Sequence, residues 1–207
     1  GDCPVLLLEP QRTNLFRNSV TFAGMSHFNI TNEVVSITSP DGNTSGVKKL
    51  TSTDTNQPRM EEVLTPTTLD SNYYWSVFVK KDTARYVGLS HFSESGNNCI
   101  FDLDNGTVIY DNGSLPAKIK AFTNGWYRIS KGVYLPNGLS ASSWKFHLCN
   151  ESSVFSGVVG ESAFVYGFQI EEGSYATSYI PTRGQSATRA ADDIERLTNL
   201  STDGIAN

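Results

Sequence analysis

The sequence is short of charge. Its 207 residues carry 16 Lys and Arg against 21 Asp and Glu, 18% in all, with a net charge of −5. So little charge argues against a coiled coil or a disordered tail. Positive charge in particular is thin, and a nucleic-acid partner is not expected, because phosphate contacts demand a basic field. Lys48-Lys49 and Lys80-Lys81 are isolated pairs that read as solvated strand ends. Cysteine is scarce too: Cys3, Cys99 and Cys149 are odd in number and widely spaced. That excludes a disulfide framework, and without CxxC or Cys/His spacing it excludes a zinc module. Three free thiols, or one disulfide with one free thiol, both remain open. The longest apolar run extends only from Val5 to Leu8, whereas a membrane-spanning helix needs about 20 residues. No signal peptide is legible and the first residue is not Met, which leads us to expect a piece of something longer.

Strand formers and turn formers are plentiful. Aromatic residues reach 11%, and Ser, Thr, Asn and Gly are abundant. Four Asn-Gly steps, at 105–106, 112–113, 124–125 and 137–138, punctuate the chain, with Asp41-Gly42 as a further turn. Asn-Gly suits tight hairpins because both residues tolerate positive φ. Strand-like runs lie at about 4–8, 27–38, 46–52, 59–64, 73–81, 85–92, 99–103, 107–110, 117–122, 125–134, 143–149 and 162–171. Their alternation gives each strand one dry face. Trp75, Val77 and Val79 oppose Tyr74, Ser76, Phe78 and Lys80. Val87 and Leu89 oppose Tyr86, Gly88, Ser90 and Phe92. Trp144, Phe146 and Leu148 oppose Lys145 and His147. Phe164, Tyr166, Phe168 and Ile170 are read together against Val165, Gly167, Gln169 and Glu171. The only helical spacing is a short one over 192–200. These features predict one all-β antiparallel sandwich over residues 1–190, followed by a tail or linker over 191–207.

No pattern for catalysis emerges. Glycoside hydrolysis needs two carboxyls on one face, about 5–10 Å apart. Asp102 and Asp104 are the best pair, yet they flank the Asn105-Gly106 turn, where solvated carboxylates are ordinary. The same stretch fails as an EF-hand loop, since the closing position is Gly113. His27, His91 and His147 lie far apart within strand-like runs, and no GxSxG elbow, phosphate loop or dinucleotide fingerprint is present. A non-enzyme is expected.

Three segments carry a family likeness: LLLEPQRTNLF at 6–16, NGWYRIS at 124–130 and GFQIEEGSYATSYIPTRGQSATRAADDI at 167–194. In this order they resemble a domain of bacteriophage tail, tail-fibre and other virion proteins. That domain is similar to the jelly-roll carbohydrate-binding modules of families 4, 9, 16 and 22. The resemblance implies a jelly-roll β-sandwich, carbohydrate-binding-module-like or concanavalin-like. It implies a non-catalytic, lectin-like role in holding a host surface glycan at the virion. It also implies bacterial surface polysaccharide and other virion proteins as partners, and a homotrimeric full-length parent. No cofactor is implied, although related modules often hold a structural calcium ion. The alternative is a structural or docking domain that binds only other virion proteins. The segments themselves look structural: LLLEP reads as a strand ended by Pro10, Glu9 and Arg12 as a pair, and TSYIPT as an edge strand turning at Pro181.

A sugar presents apolar C–H faces within a rim of hydroxyls, so aromatic platforms beside amide, carboxylate and cationic groups suit it. Tyr74, Phe78, Tyr86, Arg128, His147, Gln169 and Glu171 supply that mixture. If the runs 73–81 and 85–92 form a hairpin, Tyr74, Phe78 and Tyr86 become neighbours on one shallow groove.

Overall fold

The computed structural model describes residues 8–65, 68–92, 97–139, 141–151 and 155–192. The expectations for Cys3 and for the tail beyond 192, including its helical spacing, lie outside the described residues, as does most of the run 4–8. Fourteen strands form: β1 (Arg12–Asn14), β2 (Ser26–Phe28), β3 (Ile30–Val34), β4 (Lys48–Ser52), β5 (Arg59–Leu64), β6 (Ser71–Lys81), β7 (Tyr86–Phe92), β8 (Asn98–Asp102), β9 (Thr107–Asp111), β10 (Ala117–Ala121), β11 (Trp126–Leu135), β12 (Ser142–Cys149), β13 (Ser162–Glu172) and β14 (Ala187–Arg189). One 3₁₀ turn, at 123–125, is the only helical element among the described residues.

Two six-stranded antiparallel sheets pack face to face. The front sheet runs β10-β11-β6-β13-β4-β3 and the back sheet β2-β5-β12-β7-β8-β9, while β1 and β14 pair separately. From β4 to β7 the chain alternates between the sheets, as it does from β11 to β13. This is the jelly-roll order. The core lies between the inner faces. Trp75, Val77, Val79, Ile129 and Val133 come from the front, and Val87, Leu89, Phe101, Trp144, Phe146 and Leu148 from the back, all buried. Phe16, Phe22 and Met25, from the segment before β2, join the same core. The ring of Phe22 meets Phe168 edge-on at 5.2 Å.

Three departures from the alternation reading have local causes. Asn29 takes a left-handed φ of 55° and splits the run 27–38 into β2 and β3, which enter different sheets. On β13 the pairing with β6 skips between Tyr166 and Gln169, so Gly167 and Phe168 together face Val77. Gly167 supports this bulge with φ 63°. The bulge reverses the parity: Phe168 and Ile170 turn into the core, while Phe164 and Tyr166 stay on the outer face. The expected single face of Phe164, Tyr166, Phe168 and Ile170 is therefore divided. Thirdly, residues 8–10 and the TSYIPT segment form no strand; both are loops laid along the front sheet.

Those loops belong to a clasp between the two ends of the domain. Asn14, fully buried, donates to the carbonyls of Phe168 (3.1 Å) and Ile180 (2.8 Å) and accepts from the N–H groups of Phe16 (3.0 Å) and Ile170 (3.1 Å). Thr182 and Ser19 exchange backbone-to-side-chain bonds of 2.7 and 2.9 Å. Glu9 pairs with Arg189 at 2.6 Å rather than with Arg12, whose Nε lies 3.9 Å from Glu171. Residues 9–19 thus fasten to residues 168–189.

Candidate functional site

The front sheet brings five of the seven expected site residues onto one outer face. Across β11-β6-β13 the rows read Arg128–Phe78–Tyr166, Ser130–Ser76–Gln169 and Gly132–Tyr74–Glu171. Tyr86 and His147 lie elsewhere, on the outer face of the back sheet. The expected hairpin does not form, because β6 pairs with β11 and β13 whereas β7 pairs with β8 and β12. The connection 82–85 crosses between the sheets. Tyr74, Phe78 and Tyr86 therefore do not share a groove.

Burial then divides the five. Tyr74 is sealed, with its ring over Gly132 beside Leu115. Gln169 and Glu171 are fully buried inside the clasp. Glu171 accepts from Gln169 Nε2 (2.7 Å), the Thr177 N–H (2.9 Å) and the Thr177 hydroxyl (2.6 Å). Gln169 Oε1 accepts from the Ile180 N–H at 2.7 Å. A buried carboxylate with this many donors is structural, and a sugar cannot reach it. On the back sheet His147 is buried under the Phe155 ring, stacked at 4.2 Å, with Nε2 2.8 Å from the Ser90 hydroxyl. Tyr86 is half-buried against Arg85, whose guanidinium carbon sits 4.9 Å from the ring centre.

Phe78 and Arg128 remain at an opening. Together with Pro40, Asp41, Phe122, Ser178, Tyr179 and Pro181 they line a cleft of about 310 Å³. The loop 35–43 forms one wall, the turn after β10 another, and the segment 178–181 the third. Phe122 is 36% exposed and meets Phe78 edge-on at 5.2 Å; Tyr179 meets Phe78 the same way at 6.0 Å. The Arg128 guanidinium carbon lies 5.4 Å from the Phe78 ring centre, and Nη2 donates to Ser76 Oγ at 2.9 Å. Burial pulls the Arg128 pKa below its ordinary value, with Glu171 and Glu9 opposing the shift. Asp41 takes a 2.6 Å bond from the Tyr166 hydroxyl and another from Ser39. Burial acts to raise its pKa, but these bonds prevail and hold it below the ordinary carboxylate value. Tyr179 is pushed up to about 12, chiefly by burial, and stays a neutral phenol bonded to Ser19 Oγ at 2.8 Å.

Sequence reasoning missed Phe122, Tyr179 and Asp41 because all three stand on loops whose approach to β6 is set by tertiary contacts. The only local signal for Phe122 is a bulky aromatic immediately before a turn.

The expected weakness of the acid pair has a structural cause. Asp102 is buried and holds its turn, accepting from Arg85 (2.7 Å), the Asp104 N–H (2.9 Å) and Asn105 Nδ2 (2.8 Å). Arg85 keeps its carboxyl far below the ordinary range. Asp104 pairs with Lys81 and with Arg85. Among the described residues no group of three or more His, Cys, Asp or Glu is placed to hold a metal ion, and no helix is long and apolar enough to cross a membrane. Cys99 and Cys149 are buried free thiols.

The fold defines a class, the two-sheet jelly roll, and solved structures of that shape are similar to it. The CBM22-1 xylan-binding domain from Paenibacillus barcinonensis Xyn10C is 14% identical, with 79% of this chain covering 94% of that one at a TM-score of 0.44. TmCBM61, solved with β-1,4-galactotriose, is 11% identical over 77% of this chain and 99% of its own, at 0.43. The enzymatically active domain of tailspike protein 4 of bacteriophage CBA120 is 10% identical over 77% of this chain, at 0.46, and this chain spans only 21% of its length. At such identities and scores no ligand and no activity carries over to this chain. No family model and no curated protein matches the sequence.

Proposed function

We propose that this chain is a non-catalytic carbohydrate-binding domain, and that the front-sheet cleft over Phe78 is where it holds a glycan. One observation carries the reading: an exposed Phe122 and a half-buried Tyr179 converge on Phe78 beside a guanidinium and a carboxylate, in an open recess the size of a sugar ring or two. Apolar rings take the C–H face of a sugar, and Arg128 and Asp41 offer a donor and an acceptor for its hydroxyls. Among the described residues the only carboxylate lining the cleft is Asp41, which is tied to Tyr166 and Ser39, so those residues do not assemble an acid–base pair for glycosidic cleavage there.

In this reading the domain sits on a virion and recognises a bacterial surface polysaccharide, and its full-length parent is a trimer. The test is an array of bacterial surface glycans probed with the described chain. Dissociation constants between about a micromolar and a millimolar are expected of a shallow, wet site, about 4–8 kcal/mol of binding. An array without a single hit, together with capture of another virion protein, would replace this reading with that of a docking domain.

A further inference from the structure

Resting on the carbohydrate reading, we infer that the cleft selects an acidic sugar, one whose carboxylate pairs with Arg128. The guanidinium is only partly used. Nη2 bonds Ser76, but Nε is cut off from solvent without a hydrogen-bond partner, and Arg128 has no carboxylate within ion-pair distance among the described residues. A cationic group drawn out of water without a partner is costly, and native structures keep such groups where a ligand or a network answers them.

The neighbouring charges are already engaged with one another. Ser178, on the wall of the cleft, links it to the clasp: its N–H donates to Glu9 (2.8 Å) and its carbonyl accepts from Arg189 (3.3 Å). In the clasp the guanidiniums of Arg12 and Arg189 already hold Glu9 and Glu171. Arg12 Nε makes no hydrogen bond, and Arg189 keeps Nε and Nη2 unpartnered. Glu9, Glu171 and Asp192, whose carboxylate accepts from the Glu9 N–H at 2.9 Å, are thus taken up within the clasp, and Arg128 is the guanidinium that opens to the cleft. Asp41, the one anion in the cleft wall among the described residues, is directed to Ser39 and Tyr166. A neutral sugar would leave the guanidinium short of an anion. A uronate would supply one, in the planar geometry that suits arginine, with its ring against Phe122 and Tyr179.

The test follows the side-chain Nε–H resonance of Arg128 in ¹⁵N-labelled protein. Sodium glucuronate, sodium galacturonate, galactose and sodium acetate are titrated separately at constant ionic strength. One of the uronates should shift the resonance saturably, with galactose at least about tenfold weaker, and in Arg128→Lys, followed by calorimetry alongside the parent, that uronate should bind more weakly by a similar factor. An Arg128 resonance indifferent to both uronates overturns the inference. Galactose acting as strongly as the uronates also overturns it, yet leaves the carbohydrate reading standing. Acetate matching the uronates keeps the carboxylate pairing and removes the sugar, so the failure would then lie with the carbohydrate reading.

Discussion

Gly88, at the centre of β7, shows how one missing side chain shapes the back sheet. A Cβ there would lie 2.3 Å from the Phe155 ring, the ring that also stacks on His147. Gly88→Ala should therefore cost about 1–3 kcal/mol by overpacking, read from urea midpoints. Combined with Phe155→Ala the cost should be less than additive, since both changes act on one contact. Two buried histidines of the back sheet, His147 under Phe155 and His91 against Trp144, set a pH dependence. Burial takes His91 to about 3 and holds His147 well below the ordinary 6.5; Lys145 works against protonation of both and Arg59 against that of His147. A depressed histidine binds fewer protons folded than unfolded. It leaves stability unchanged above about pH 6.5 and removes it as the pH falls, by at most about 1.4 kcal/mol per unit for each histidine. For His91 the loss continues to about pH 3. Urea midpoints should thus drop between pH 7 and pH 5, and the drop should shrink in His91→Phe. A flat profile would contradict the buried placement of these rings.

At the scale of elements, the strand bodies were legible in sequence and their coverings were not. The runs read at 46–52, 59–64, 73–81, 85–92 and 143–149 coincide with β4, β5, β6, β7 and β12 to within a couple of residues, because alternation is a local property. The inward sets around Trp75 and Trp144 were legible for the same reason. Gly167 broke the rule on β13, since a bulge leaves no mark beyond a glycine. Nor does sequence reveal that Tyr74, Gln169 and Glu171, correctly placed on the outer face, are roofed by loops distant along the chain. The clasp responsible makes a sharp prediction. Asn14 satisfies four buried backbone groups, so Asn14→Ala should destabilise the fold by about 3 kcal/mol. Amide exchange at Ile170 and Phe16 should accelerate along with it; unchanged exchange there would show that the two ends are held otherwise.

At the scale of the molecule, a short connection between consecutive strands does not make a hairpin. The 82–85 link crosses the sandwich, and this separates Tyr86 from Tyr74 and Phe78. Such crossings are what a jelly roll consists of, and pairing order is a long-range property that alternation cannot supply. The Asn-Gly steps illustrate the same limit. Those at 105–106 and 124–125 close hairpins, while those at 112–113 and 137–138 carry the chain from one sheet to the other. What the crossings leave open, beside the clasp, is the cleft over Phe78. The most direct test compares glycan affinity and melting temperature in Phe122→Ala, a change at a partly exposed ring on the cleft wall. Titration with a polysaccharide selected on the array should show binding weakened by at least about tenfold, with the melting temperature within a few degrees of the parent. Undiminished affinity in a folded Phe122→Ala protein would place the glycan elsewhere and contradict the account.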